Sequence, residues 1–408
     1  MKILHTSDWH IGQKLYGHDR EEEHQRFFEW LHQEIIDQQV ECLLVCGDIF
    51  DTGYPSNNAL KLYYRFLTSL IGTSCRQVVI TGGNHDSVST LEAPKDILGF
   101  LNVKVIGGAP ENMAEQIIEL KGKSGKCEAV VVAVPFLRDR NIRESVVGEG
   151  YEDKIQAIRN GILTHYQSLF DLTQHYRGQK IPVIATGHLF LQGGQVSDSE
   201  REIQIGNLAA VSSADFPAFD YLALGHLHRP QVISKNPLTV YSGSPIPLSF
   251  SEIMYSKRVN LVKTSFPEIE IQPIEIPLFR KLVKIEGTMQ EVKARLVELQ
   301  PHGDLPVWID LQVVEEEYDP LLDRLFEDFN EDFNRDITDK QIIKHTFGFL
   351  SQLTEGSGMA DEERTLNDLG EKQVFERLLD QQGISERESL LQSFGELLEL
   401  AYLDNTNK

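Results

Sequence analysis

Short apolar runs recur along the first two thirds of the chain, at Lys2–Ser7, Val40–Cys46, Gln77–Thr81, Ala129–Pro135, Ile181–Thr186, Tyr221–Leu224 and Val240–Ser244. Runs rich in Val, Leu, Ile and Cys without polar alternation predict strands buried on both faces. Stretches of helical period lie between them. Glu21–Gln38 sets Phe27, Leu31 and Ile35 on one face, and Asn57–Ile71 carries Leu60, Tyr64, Leu67 and Ile71 at heptad-like spacing. A third helix is expected near Lys154–Leu169, and Arg258–Lys263 with Glu268–Ile276 are expected as edge strands. Alternating strands and helices predict an α/β fold.

The pattern changes beyond Pro277. A strand at Lys281–Glu286, a helix at Met289–Leu299, a strand at Val307–Val314, an acidic helix from Pro320 to about Asn334 and a strand at Lys340–Phe347 predict a small α+β domain. A polar, glycine-containing link follows. The tail then offers two short amphipathic helices, one with Val374, Phe375, Leu378 and Leu379, the other with Leu390, Phe394 and Leu398. So small a pair buries little by itself, which favours docking on a partner. The expected division is residues 1–276, 277–347, a linker at 348–365 and a docking segment at 366–408.

Composition narrows the function. A net charge of −23 over 408 residues argues against a broad basic surface for nonspecific nucleic-acid binding. Much of the acid is local, with twelve acidic and three basic residues between Asp310 and Lys340, and multivalent cations reverse the sign of an acidic cleft. Cys42, Cys46, Cys75 and Cys127 lack metal-ribbon spacing and read as thiols of a reducing cytoplasm. No apolar run approaches the roughly 20 residues that span a bilayer, and MKILHTSDWH is unlike a secretory leader. A cytoplasmic, membrane-free protein is expected.

Five strand ends carry the chemistry. They read Asp8-Trp9-His10, Gly47-Asp48, Gly82-Gly83-Asn84-His85-Asp86, Gly187-His188 and Gly225-His226-Leu227-His228. A lone histidine at a strand end is usually structural, the reading given to His5, His24, His32, His165 and His175. Five ends in succession bearing oxygen or imidazole ligands point instead to metal. Asp8 and His10 would point the same way if the backbone between them stays extended, and a carboxylate such as Asp48 can touch two cations. Lys14, Arg20, Arg138, Arg140, Arg143, Lys257 and Arg258 are scattered candidates for phosphate contact.

The five blocks resemble the motif series of calcineurin-like metallophosphoesterases. HTSDWHIG, GDIFDTG, GNHDSV, ATGHL, LGHLHRPQ and YSGSPIPLSF are similar, more narrowly, to the nuclease subunits of bacterial SbcCD complexes. The resemblance implies a β-sandwich flanked by helices, with the α+β domain capping DNA. It implies that Asp8, His10 and His228 hold one metal, Asn84, His188 and His226 a second, and Asp48 both. The oxygen and imidazole set suits two Mn2+ ions. His85 would act at the phosphate, oriented by Asp86. The implied activity is endonuclease and 3'-to-5' exonuclease processing of DNA ends and hairpins in repair, recombination and replication, in the nucleoid. Its implied partner is an SbcC-type coiled-coil ABC ATPase gripped by the tail helices, and ATP belongs to that partner because this chain has no GxxxxGK[ST] loop. A homodimer contact would come from the Glu21 and Asn57 helices through Leu60, Tyr64, Leu67 and Ile71. Two alternatives share the fold: a phosphomonoesterase or cyclic-nucleotide phosphodiesterase, and a scaffold without chemistry. Ser87 after Asp86, where related phosphatases carry an arginine, weakens the first, and the complete ligand set weakens the second.

Overall fold

All five residues of the strand Cys42–Cys46 are buried, and alternate side chains enter different cores. Leu43 and Val45 pack beneath the helices Glu21–Asp37 and Asn57–Ser69, while Cys42, Leu44 and Cys46 pack between two sheets. The period of two, buried on both faces, is why this run carries no polar alternation. A computed structural model of the chain describes residues 1–143, 150–197, 199–200, 211–301, 303–315, 320–349 and 394. The chain divides into two units, Met1–Glu315 with Asp319–Phe347, and Glu316–Tyr318 with Gly348–Lys408. The first unit holds the architecture below.

The first sheet runs Glu268–Glu275, Arg258–Ser265, Lys2–Thr6, Cys42–Cys46, Gln77–Thr81, Val103–Ile106. Its last four strands are parallel, with Ile3 opposite Cys42 and Cys42 opposite Gln77. The second runs Gln231–Lys235, Leu238–Tyr241, Tyr221–Gly225, Val183–His188, Cys127–Val132, Ile117–Lys121. Its four central strands are parallel too, and its outer face packs on the helix Tyr151–Leu172 through Ile162, Tyr166 and Leu169. The expected sandwich flanked by helices is thus present. One strand expectation changes and three strands are added. Arg258–Ser265 is not an edge, because Glu268–Glu275 pairs along its whole length and covers it. Val103–Ile106, Ile117–Lys121 and Gln231–Lys235 are strands that the sequence pattern did not reveal.

The heptad-like stripe also divides. Ser56 caps the helix by accepting from Ala59 N, and the helix ends at Ser69. Leu67 is a core residue at 2% exposure, so it supports that face from inside and cannot be a surface contact. Leu60 and Tyr64 are half-buried, and Ile71, beyond the helix, is exposed.

After Ile276 a three-stranded sheet forms from Leu282–Gly287, Val307–Glu315 and Lys340–Phe349. The helices Met289–Glu298 and Pro320–Asp336 cover it with Val292, Leu296 and Phe326. A capping box between Thr288 and Glu291 starts the first of these helices. Leu15, Phe250, Leu282, Trp308 and Ile343 join this sheet to the sandwich. Beside them the buried Glu23 accepts from Arg20 Nε at 3.0 Å and Arg280 Nε at 3.0 Å, and Arg280 lies 4.1 Å from the Trp308 ring centre. Arg20 is 1% exposed, so it is a structural cation and not a phosphate contact. Of the tail residues expected to dock, Phe394 is described and helical in backbone. Val374, Phe375, Leu378, Leu379, Leu390 and Leu398 lie outside the described residues. No described helix is long and apolar enough to cross a membrane.

Removing one partner from a buried ion pair leaves an uncompensated charge and costs about 3–5 kcal/mol. Glu23→Ala is therefore expected to lower unfolding free energy by about that amount in urea titrations. A loss below about 0.5 kcal/mol, typical of inert surface sites, would show that the two arginines do not depend on it.

Candidate metal centre

The side chains at the five strand ends converge with the help of a sharp backbone turn at four of the seven expected ligands. Asp8, His10 and Asp48 have φ of 52°, 45° and 49°, and His226 has 98°. These left-handed conformations are uncommon for residues with a Cβ and concentrate at functional sites. The extended backbone expected between Asp8 and His10 is therefore not what aligns them. An apolar anchor is: Trp9 is fully buried against Phe27, Phe28 and Phe66, and its Nε1 donates to Thr6 Oγ1 at 3.1 Å. Leu227, fully buried beneath the second sheet, takes the same place between His226 and His228.

Two glycines let the strand ends approach. Gly47 has φ of 84°, and a Cβ there would lie 2.1 Å from His188 Nδ1. A Cβ at Gly83 would lie 2.1 Å from Asp48 Oδ1. The Gly-Asp and Gly-Asn dipeptides are thus steric requirements of the close packing.

Ligand atoms of Asp8, His10 and His228 lie within 4.8 Å of one another, as do those of Asp8, Asp48 and His188. Asp48 Oδ2 stands 3.6 Å from His10 Nε2 and 3.1 Å from His188 Nε2. Asn84 Oδ1 lies 2.9 Å from His188 Nε2 and 3.1 Å from His226 Nδ1. All seven expected ligands are brought together. Asn84 and His85 are half-buried and the other six are buried, so the former pair marks the open side.

His85 lies beside this cluster, its ring centre 4.9 Å from that of His10. Its Nδ1 donates to Asp51 O at 2.8 Å. Asp86 does not orient it. Both Asp86 oxygens accept backbone N–H groups instead, from Ile49 at 3.1 Å, Phe50 at 3.0 Å and Gly83 at 2.8 Å, and so bind the Asp48 loop to the Asn84 loop. Asp51 was missed by sequence reasoning although it lies three residues after Asp48. Its carboxylate is 3.1 Å from His10 Nδ1 while its carbonyl holds His85.

The cation candidates separate. Arg138 Nη2 donates to Asp86 O at 3.1 Å, beside the open side. Lys257 is 5% exposed and bonded to Glu252, so it is not a phosphate contact. Lys14 and Arg140 are exposed, Arg143 pairs with Asp139, and Arg258 is half-buried. The histidines read as structural have protein partners: His5 meets Tyr221, His24 the Arg20 and Trp9 carbonyls, His32 Ser69 O, His165 Gln116, and His175 Leu172 O.

Residues 1–230 match the family model described as calcineurin-like phosphoesterase. The chain belongs to this family. Residues 278–383 match the model described as type 5 capsule protein repressor C-terminal domain. The chain is 41% identical over 321 residues to the SbcD subunit of the SbcCD nuclease of Escherichia coli K12, covering 78% of this chain and 79% of that one. It is 36% identical to the protein of the same name from Rhodobacter capsulatus, covering 73% and 76%. The Bacillus subtilis protein of that name is 32% identical, covering 77% and 79%.

The donor set of this calcineurin-like phosphoesterase fits divalent cations. His188 Nδ1 donates to Cys46 O at 3.0 Å, so in the neutral ring Nε2 directs a lone pair at the oxygens of Asp48 and Asn84. A proton or a cation must reconcile those three acceptors. His10 Nε2 is buried with no hydrogen-bond partner, a further sign of a missing positive charge. Without metal the cluster balances itself by proton affinity. Burial opposes the charge on His188, but the Asp48 carboxylate outweighs it and raises the ring pKa to about 9. Burial alone would push the Asp48 carboxyl up, yet His188 and His10 hold it well below the usual range. Burial drives His226 down to about 3, with His188 adding to the effect, and burial raises Asp8.

Gly83→Ala is expected to displace Asp48 and reduce Mn2+ affinity by at least about tenfold, the lower end of losses from disturbed ligand support. Calorimetric titration of metal-free protein tests this, and unchanged affinity would refute the steric argument. The His188 shift has a defined sign. Its folded pKa of about 9 exceeds the unfolded value of 6.5, so the protonated ring stabilises metal-free protein fully below about pH 6.5 and less as pH rises through 9. The stability advantage of wild type over His188→Gln in chelator should therefore shrink between pH 6.5 and 9. A pH-independent difference would contradict it.

Proposed function

We propose that this chain is a two-metal-dependent DNA phosphodiesterase, acting as endonuclease and 3'-to-5' double-strand exonuclease on DNA ends and hairpins. The reading rests on one observation above the others: seven oxygen and imidazole donors meet at strand ends in a chain that shares 41% identity with an SbcCD nuclease subunit. Asp8, His10 and His228 would hold one ion and Asn84, His188 and His226 the other, with Asp48 shared. Manganese suits this mixed set. When bound, two such cations lower the pKa of water and neutralise charge on a phosphodiester.

The protein's own groups do the rest. With Nδ1–H committed to the Asp51 carbonyl, His85 is left Nε2 to meet a phosphate oxygen or to protonate the departing one. Asp86 keeps the two ligand loops at a fixed separation through its three backbone contacts. Arg138, bonded to Asp86 O, is well placed to attract phosphate.

The relatives' shared name makes them one subunit of a complex, and the same arrangement is proposed here, with a coiled-coil ABC ATPase as partner. In it residues 277–347 cap the DNA, 348–365 form a linker and 366–408 dock on the ATPase. A homodimer contact would use the exposed Ile71 and the half-buried Leu60 and Tyr64, with Leu67 supporting them from the core.

The test is cleavage of a hairpin-ended duplex with Mn2+, with and without the ATPase partner. Wild type should cut in a metal-dependent manner, and His85→Ala should lose about 10²–10⁴-fold, the range of general acid–base contributions, while both metals stay bound. Equal rates would remove His85 from the chemistry. Absence of cleavage under every condition would favour a phosphomonoesterase on the same fold.

A further inference from the structure

Behind His228 lies a polar chain, half-buried at Ser199 and buried at Glu252 and Lys257, to which the two-metal reading gives no role. His228 Nδ1 is 2.7 Å from Ser199 Oγ, and Ser199 Oγ donates to Glu252 Oε1 at 2.6 Å. A serine hydroxyl has one proton, and here the carboxylate takes it. The imidazole must then donate to the serine oxygen, which fixes the ring as the Nδ1–H tautomer and leaves Nε2 with its lone pair.

The carboxylate at the far end is itself held. Glu252 Oε2 accepts from Lys257 Nζ at 2.5 Å and Leu248 N at 3.0 Å. Lys257 Nζ also donates to Ser244 Oγ at 2.7 Å and to the carbonyl of His228 at 3.0 Å. The His228 N–H donates to Glu200, so this residue is gripped at its ring, its N–H and its carbonyl. Glu252 is 0% exposed and Lys257 5%. A bare carboxylate at that depth would be strongly unfavourable, and the ammonium beside it removes the net charge. His188 differs, since its Nδ1 rests on the neutral carbonyl of Cys46.

We propose that Ser199, Glu252 and Lys257 form a positioning relay for His228. The relay fixes the ring's tautomer and direction, and it thereby strengthens the ion on the Asp8–His10–His228 side specifically. The proposal rests on the two-metal reading of the site. Carboxylates that orient a ligating histidine typically contribute about 10–100-fold to metal affinity.

Ser199→Ala in the full-length protein removes the short hydrogen-bonded link to the ring, where Glu252 Oε1 itself lies 3.4 Å from His228 Nδ1, and leaves the Glu252–Lys257 pair in place. Calorimetric titration with Mn2+ should show one of two ions bound about 10–100-fold more weakly and the other unchanged, with no change in the urea midpoint of metal-free protein. Ser199→Thr keeps a hydroxyl and should restore the first ion. Unchanged binding in Ser199→Ala, or equal weakening of both ions, would overturn the relay. Assaying the same preparations on duplex DNA separates the two ideas: wild type that holds two ions but cuts nothing counts against the nuclease reading alone.

Discussion

Two carboxylates and four histidine rings share one buried space, and such a collection is stable only when a positive charge balances it. These two carboxylates and four rings sit at 0–3% exposure, far from the solvent that would otherwise screen them. Much of the surrounding structure answers this constraint. Glycines allow strand ends to touch, left-handed residues stand at four of the donor positions, and backbone N–H groups bond to carboxylate oxygens of the cluster. The last effect is clear at Asp8 Oδ1, which accepts from His226 N at 2.8 Å, and at Asp48 Oδ1, which accepts from His85 N at 2.9 Å.

The ligand–apolar–ligand triplets solve a second difficulty, that of aiming two side chains from adjoining positions without strand geometry. Burying a large apolar side chain is worth about 1.5–3 kcal/mol, comparable with the roughly 1–3 kcal/mol of an unfavourable backbone conformation. Trp9 and Leu227 can thus offset the strain at Asp8, His10 and His226. The core beneath the helices and the chemistry above the sheets are parts of one energetic balance.

The strand ends and the donor groups they carry were legible in the sequence because unbroken apolar runs stop at polar residues, and that contrast survives in one dimension. Sheet order was not. Nothing local in Arg258–Ser265 reveals that Lys2–Thr6 and Glu268–Glu275 flank it. Nor was the burial of Arg20 and Lys257 visible, since charge alone suggests solvent, and their partners Glu23, Arg280, Glu252 and Ser244 are chosen by tertiary packing. Asp86 was misread for a related reason. Its neighbour in sequence is His85, but its neighbours in space are the amides of Ile49, Phe50 and Gly83.

The candidate centre draws its donor groups from both sheets, with Asp8, His10, Asp48 and Asn84 following the first and His188, His226 and His228 following the second. These groups are separated by about a hundred residues of chain, from Asn84 to His188. During synthesis the first four donors therefore emerge well before the last three, at a pace of about 5–20 residues per second. For those seconds the nascent chain carries half of the donor cluster, acidic and incomplete, and on the two-metal reading a cation would bind fully only after His228 has left the ribosome and the second sheet has closed over the first. Metal capture would then mark completion of the sandwich, and phosphodiester chemistry would be withheld from every shorter intermediate.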